Sequence, residues 1–362
     1  MSGDERDHAP HGVYALAGNG LLAAYVLAIV YASLNPFSGW RLPEAFLLFT
    51  WPKYWSLFDI VLNVLAYIPL GTMLATVMLR VPQLAAATHR ITVRALLLGG
   101  ALSLAMELLQ SLLPQRVSSP VDLATNVAGA FIGAAAMVSQ SGRAARTAFL
   151  AWRERSFAAH GAGAWGAVLL GAWLVTQSNP LIPFFEAHQF VNPFELAVAR
   201  DAYDAVVLFP QMLGVALNAA GFALFVSLVL HPRRNPVSTA LAVLALGFAI
   251  KVAAAALMLR APALAEWIAP APVIGLATGL ALFALLSRLT LRWRAFFATL
   301  LIFAGGLLAQ LTSVEGAFDQ TVRLLNWPYG HVATFAGLTR WMHDSWPPVA
   351  CVFAAWVFVR RP

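Results

Sequence analysis

Long apolar runs separated by short polar breaks occupy almost the whole chain. Ten runs stand out, at roughly 13–34, 55–79, 91–113, 121–139, 161–178, 204–230, 237–259, 271–288, 295–313 and 347–360. All but the last, which is shorter, approach the ~20 residues with which an α-helix crosses a hydrocarbon core. The pattern predicts an all-α fold, a polytopic transmembrane helical bundle of about ten helices. The breaks give its organisation: a cytoplasmic tail (1–12), a four-helix transmembrane unit (13–140), a basic cytoplasmic loop (141–160), a second four-helix stretch (161–290), and two further spans joined by a long outer loop (291–362).

The polar positions that interrupt the apolar runs matter most between Ala101 and Gly133. Here ALSLAMELLQSLLPQRVSSPVDLATNVAGAFIG runs apolar, turns at Pro114 to Pro120, and runs apolar again. An ionisable group inside a membrane-length helix is expensive and by default marks a functional site. Glu107 and Gln110 are three apart and share a helix face; Asp122 and Asn126 are four apart and share another. Glu107 lies about two turns before the bend and Asn126 about two turns after it, at 3.6 residues per turn. The second run adds Asp59 and Asn63, again four apart and within its first two turns. Three helices thus offer polar groups at one depth, with Arg116 in the bend as the cation expected to lie over the acids. Pro69 and Gly71 in AYIPLGTML are expected to kink the second helix and open space beside it.

Composition agrees with a membrane solvent. The 362 residues are 60% hydrophobic and 11% charged, against roughly 25% charged for a soluble globular chain. The net charge of +7 is spread over short loops and forms no single patch, so it reads as topological, not as a nucleic-acid footprint. Loops on the N-terminal side carry Arg80, Arg90, Arg94, Arg143, Arg146, Arg153, Arg155, Arg233 and Arg234, while most acids fall on the other side. The positive-inside rule places both termini in the cytoplasm of a bacterial inner membrane and the Pro114–Pro120 bend outside. Met1 to Gly12 lacks the basic start of a signal peptide, so the first run is expected to stay as a span. One cysteine, Cys351, excludes an internal disulfide or a thiolate metal cluster.

Two outer stretches look structured. Asn35 to Tyr54 is rich in aromatic residues and suits the headgroup layer. Val314 to Pro347 holds Trp327, His331, Trp341, His343 and Trp346, and reads as a loop that either caps the outer surface or forms a second aromatic belt. A weak parallel repeat of four helices relates the first two stretches. DIVLN ending at Asn63 resembles GVALN ending at Asn218, Asn35-Pro36 resembles Asn179-Pro180, and PVDLATN ending at Asn126 resembles PVIGLATG ending at Gly279. The second copy has lost the acids and carries Lys251 near the place of Glu107. That amine is expected either to pair with a carboxylate of the first half or to snorkel to an interface.

Several chemistries find no support. HExxH, CxxC and Walker patterns are absent. The histidines fall in loops or tails, so no metal site is expected. The hydroxyls of Ser103, Ser111, Ser118 and Ser119 have no histidine base beside them, which leaves a triad unsupported. No cofactor is implied. A purely structural reading also exists, because buried polar side chains bond across membrane helices for only ~0.6 kcal/mol on average. Asp122, in the first turn of its helix, suits the helix dipole, with Ser119 as the N-cap.

Taken together, Asn63-x5-Pro69-Leu70-Gly71, Glu107-x2-Gln110 and Asp122-x3-Asn126-x2-Gly129-x3-Gly133 resemble the VanZ-like family over roughly Tyr31 to Val138. That family is named for a membrane protein linked to low-level resistance to the glycopeptide teicoplanin. The resemblance implies polar positions at Asp59, Asn63, Glu107, Gln110, Arg116, Asp122 and Asn126. It supplies a name more than a mechanism. The reading carried forward is a non-enzymatic envelope protein. Its outer-leaflet pocket would bind a membrane lipid headgroup, a lipid-linked saccharide, or a glycopeptide that targets one, with Arg116 holding an anionic group. A membrane enzyme using Glu107 and Asp122 as acid and base, and a transporter coupling Lys251 with Glu107, remain open as alternatives.

Overall fold

The computed structural model describes residues 9–35, 37–42, 57–114, 116, 118–182, 184–185, 205–258, 270–312 and 329–360. Among these residues it is all-α, with twelve helices. They are α1 (Ala9–Leu34), α2 (Leu57–Met78), α3 (Pro82–Ala85), α4 (Thr88–Gln110), α5 (Pro120–Val138), α6 (Gln140–Ser156), α7 (His160–Thr176), α8 (Ala205–Val229), α9 (Pro236–Met258), α10 (Pro270–Leu286), α11 (Leu291–Thr312) and α12 (Tyr329–Arg360).

Each of the ten apolar runs falls on one of the ten long apolar helices. Among the described residues, α2, α4, α5, α8, α9 and α11 are long and apolar enough to cross a membrane, and α1, α7 and α10 carry shorter apolar stretches. The reason for helices is the solvent: in hydrocarbon each backbone N–H and C=O must be satisfied within its own segment.

Two expectations need correction. The basic stretch 141–160 is not a loop; most of it is the helix α6. The long outer loop is also shorter than expected, because α12 already begins at Tyr329 and takes in His331, Trp341, His343 and Trp346. Pro347 and Pro348 look like a helix start in the sequence but lie inside α12. Proline is tolerated within membrane helices because neighbouring groups satisfy the carbonyls it frees. Trp327 and most of the aromatic stretch 35–54 lie outside the described residues. Within the described part, Trp40 Nε1 donates to the Phe37 carbonyl at 2.9 Å, and the Arg41 amide donates to Leu112 O at 2.9 Å.

The chain divides into two compact units, Met1–Arg153 and Glu154–Pro362. In the first, α2 packs chiefly on α5, and α4 also lies on α5. A Cβ added at Gly129 would meet the Val64 carbonyl oxygen, and one at Gly133 would meet that of Ile68. The contacts advance together along both helices, so α2 and α5 run parallel. Gly71 in turn lies against Ala130 O. Apolar side chains gain little by leaving lipid for protein, so membrane helices approach closely through small residues of this kind.

In the second unit α8 is the central helix. Val215, Ala219, Phe222, Ala223, Phe225, Val226 and Val229 are all buried, and α10 and α11 are its main neighbours. Trp173, Phe222, Phe225 and Trp346 form an aromatic centre beside it, with Trp173 and Phe222 ring centroids 4.0 Å apart. Gly275 and Gly279 of α10 lie against the carbonyls of Met212 and Ala216. They stand where the sequence repeat sets Asp122 and Asn126. Two helices meet backbone to backbone there, where the first unit carries polar side chains.

Candidate functional site

The first turns of α2 and α5 and the last turns of α4 meet at one end of the first unit. The meeting is built by the bend at Ser111–Ser119. Ser119 is the N-cap of α5, with its Oγ accepting the Val121 amide at 3.2 Å and Pro120 at the first helical position. Glu107 reaches across from α4, and its Oε2 accepts the Ser119 amide at 2.8 Å. A carboxylate at a helix N-terminus is favoured by the unpaired amides and the dipole there. Glu107 is 3% exposed, so this carboxyl group is held inside the bundle by the start of the next helix.

The remaining groups close around it. Ser103, one turn before Glu107 on α4, accepts a 3.0 Å bond from Asn126 Nδ2 of α5. Both are buried. Tyr67 of α2 is buried close to Ser103. Asn63 Nδ2 donates to Asp122 Oδ1 at 2.8 Å, joining α2 to α5. Asp122 is also near enough to Glu107 to act on its charge. Asp59, a turn before Asn63 on α2, is half-buried on the same helix face.

Five of the seven residues named from the sequence therefore belong to this end of α2, α4 and α5: Asp59, Asn63, Glu107, Asp122 and Asn126. Gln110 and Arg116 turn elsewhere. Gln110 Nε2 donates to the Ser33 carbonyl at 3.0 Å. Arg116 donates from Nη2 to the carbonyls of Ala32 at 3.1 Å and Asn35 at 2.8 Å, and from Nε to Asn35 at 3.2 Å. The arginine expected as a cation lying over the acids is engaged as a clamp on the last turn of α1. The physical reason is the orphan carbonyls that every helix leaves at its C-terminus, which cationic side chains satisfy well. Burial pulls the guanidinium pKa below its ordinary value.

Two residues were not counted as part of the site from the sequence. Tyr67 stands four after Asn63 and eight after Asp59, so the spacing was there to be read. Ser103 is four before Glu107 on the same face, but a serine in an apolar helix gives no sign of its partner. Two buried atoms in this nest, Asn126 Oδ1 and Ser118 Oγ, have no hydrogen-bond partner among the described residues. Asn126 and Ser118 are 7% and 4% exposed, too little for bulk water to serve them. Among the described residues no group of three His, Cys, Asp or Glu side chains comes together.

Lys251 of α9 is 1% exposed, and its Nζ donates to the carbonyls of Asn179 at 3.0 Å and Ile182 at 2.6 Å. It does not snorkel. Like Arg116, it holds the chain just beyond the first helix of its unit. Asn179 is fixed as well, donating to Thr339 Oγ1 at 2.8 Å and accepting the Leu181 amide at 2.9 Å.

Long apolar helices with polar groups gathered at one end of a four-helix unit define a polytopic α-helical membrane protein. The family model VanZ/LLP1 matches residues 19–140, 122 of the 362 residues, which makes this region VanZ-like. The match takes in α2, α4, α5 and most of α1. No curated protein matches this chain, and neither does any solved structure.

Proposed function

We propose that the chain is a non-enzymatic protein of the bacterial inner membrane. Its VanZ-like unit holds the polar headgroup of a membrane lipid or lipid-linked saccharide at the outer leaflet. The supporting observation is two unmet buried atoms: Asn126 Oδ1, on the side chain that binds Ser103, and Ser118 Oγ, next to the Ser119 amide that Glu107 accepts. A buried acceptor left without a donor costs about 1–3 kcal/mol. A ligand hydroxyl or ammonium removes that cost. The lining is rich in acceptors, and Arg116 is engaged on α1, so the ligand group is a donor such as a sugar hydroxyl or an amine. The anion proposed for Arg116 on sequence grounds is replaced by this reading. The link to glycopeptide resistance rests on the family resemblance alone.

The test is the lipid that accompanies the purified protein. Wild type is expected to retain one headgroup class above its share of the surrounding membrane. Asn126→Ala and Glu107→Gln are expected to lower that enrichment about tenfold, the effect of one hydrogen bond to a charged or buried partner. A wild-type lipid profile equal to the bulk membrane would remove the binding reading. The acid–base alternative draws on the closeness of Glu107 and Asp122. Conversion of the retained lipid by wild type but not by Glu107→Gln would put an enzyme in place of a binder.

A further inference from the structure

The helix α6 carries no span-length apolar stretch, and its chemistry is unlike that of its neighbours. Ser139 ends α5, and its hydroxyl accepts the Gly142 amide at 3.1 Å, starting α6. At the other end the His231 amide donates to Ser156 O at 2.9 Å, and Arg234 Nη2 donates to Ser156 Oγ at 3.1 Å. Those two residues follow the end of α8. α5 is long and apolar enough to cross a membrane, so α6 begins at a bilayer face. Its 17 residues, about 25 Å at 1.5 Å per residue, carry four arginines and a glutamate and so belong to the surface, not the hydrocarbon.

The residues sort accordingly. At 100° per residue, Ala145, Ala148, Phe149 and Trp152 form one stripe, spaced i, i+3, i+4 and i+7. All four are exposed, Phe149 by 58% and Trp152 by 47%, and the two rings lie 5.6 Å apart. Arg146 and Arg153 border the stripe on one side and Arg155 on the other. Arg143 lies on the opposite face, as does Glu154, the single acid of the helix. Arg80, just past α2, stands close enough to Arg146 for the two like charges to oppose each other. Aromatic rings flanked by arginines on a helix held at the surface match the headgroup layer of a leaflet rich in anionic lipid.

We propose that α6 is an interfacial helix whose Phe149–Trp152 stripe sinks to the acyl boundary of the cytoplasmic leaflet while its flanking arginines bind anionic phospholipid headgroups.

The full-length protein tests this, with Cys351→Ala removing the native thiol. A nitroxide is attached at Ala148→Cys on the stripe or at Thr147→Cys on the far face, and the protein is placed in vesicles of phosphatidylcholine and phosphatidylglycerol. The Ala148 label is expected to collide with oxygen and be shielded from an aqueous nickel chelate, and the Thr147 label to do the reverse. Equal access of nickel to both labels means a helix in water and overturns the proposal. Shielding of the Ala148 label from both reagents means a protein partner covers the stripe and overturns it too. In a second measurement, Arg146→Gln and Arg153→Gln are expected each to lower the phosphatidylglycerol retained by the purified protein about fivefold. Unchanged retention overturns the headgroup assignment.

Discussion

The carboxylate of Glu107 receives the amide that begins α5, so the bend and the polar nest share one residue. Glu107→Gln keeps an acceptor in place and is expected to leave folding nearly intact. Glu107→Ala leaves a part-buried amide unmet and is expected to destabilise the protein by about 1–3 kcal/mol, read as a lower midpoint in detergent unfolding. Equal midpoints for the two variants would show that the bond to Ser119 contributes nothing. The two cations treated as functional candidates from the sequence follow a different logic. Arg116 and Lys251 each serve backbone carbonyls next to the first helix of their unit. A charged residue in an apolar chain announces that it has a partner, but nothing in its own position says whether that partner is a ligand or a helix end.

At the scale of elements, the spans were legible because their period and length are set by the bilayer. The parallel seat of α5 on α2 was less so. It depends on Gly71, Gly129 and Gly133, whose spacing is visible in the sequence but whose partners are not. A methyl at Gly133 would enter the space of the Ile68 carbonyl. Gly133→Ala is therefore expected to push the helices apart and cost about 1–3 kcal/mol, as overpacking does. Gly171→Ala is the control, since nothing lies within 4 Å of its added Cβ. There the helix propensity of alanine is expected to make the change neutral or stabilising by about 0.5–1 kcal/mol. Unfolding midpoints that move alike for the two variants would count against close backbone packing as the reason for Gly133. The start of α12 and the helical state of α6 were missed for related reasons. Polar and aromatic residues dilute the apolar signal, and Pro347-Pro348 imitates a helix start.

For the whole molecule, the prediction is one of orientation. The positive-inside rule sets the Ser111–Ser119 bend outside and α6 inside. In a Cys351→Ala background, Pro114→Cys and Ser141→Cys both present exposed positions. An impermeant thiol reagent is expected to label Pro114→Cys from the periplasmic side and Ser141→Cys only from the cytoplasmic side. Labelling in the opposite sense would invert the topology and move the nest to the inner leaflet. The two units divide the chemistry unevenly: polar side chains between α2 and α5 in the first, glycines between α8 and α10 in the second. That contrast is why the ligand-binding proposal is confined to the VanZ-like unit.

The sequence by itself determined that this chain lives in a membrane, where most of its apolar helices lie, and which of its polar residues share a depth. Those properties follow from local composition and from the fixed rise of a helix, and need no knowledge of neighbours. Only the tertiary structure decided which polar groups face one another. Glu107 meets the start of α5, Asn126 meets Ser103, Asn63 meets Asp122, while Gln110 and Arg116 turn to α1. Pairing depends on how each helix is rotated about its axis, and that rotation is set by close contacts between small residues far apart in the chain.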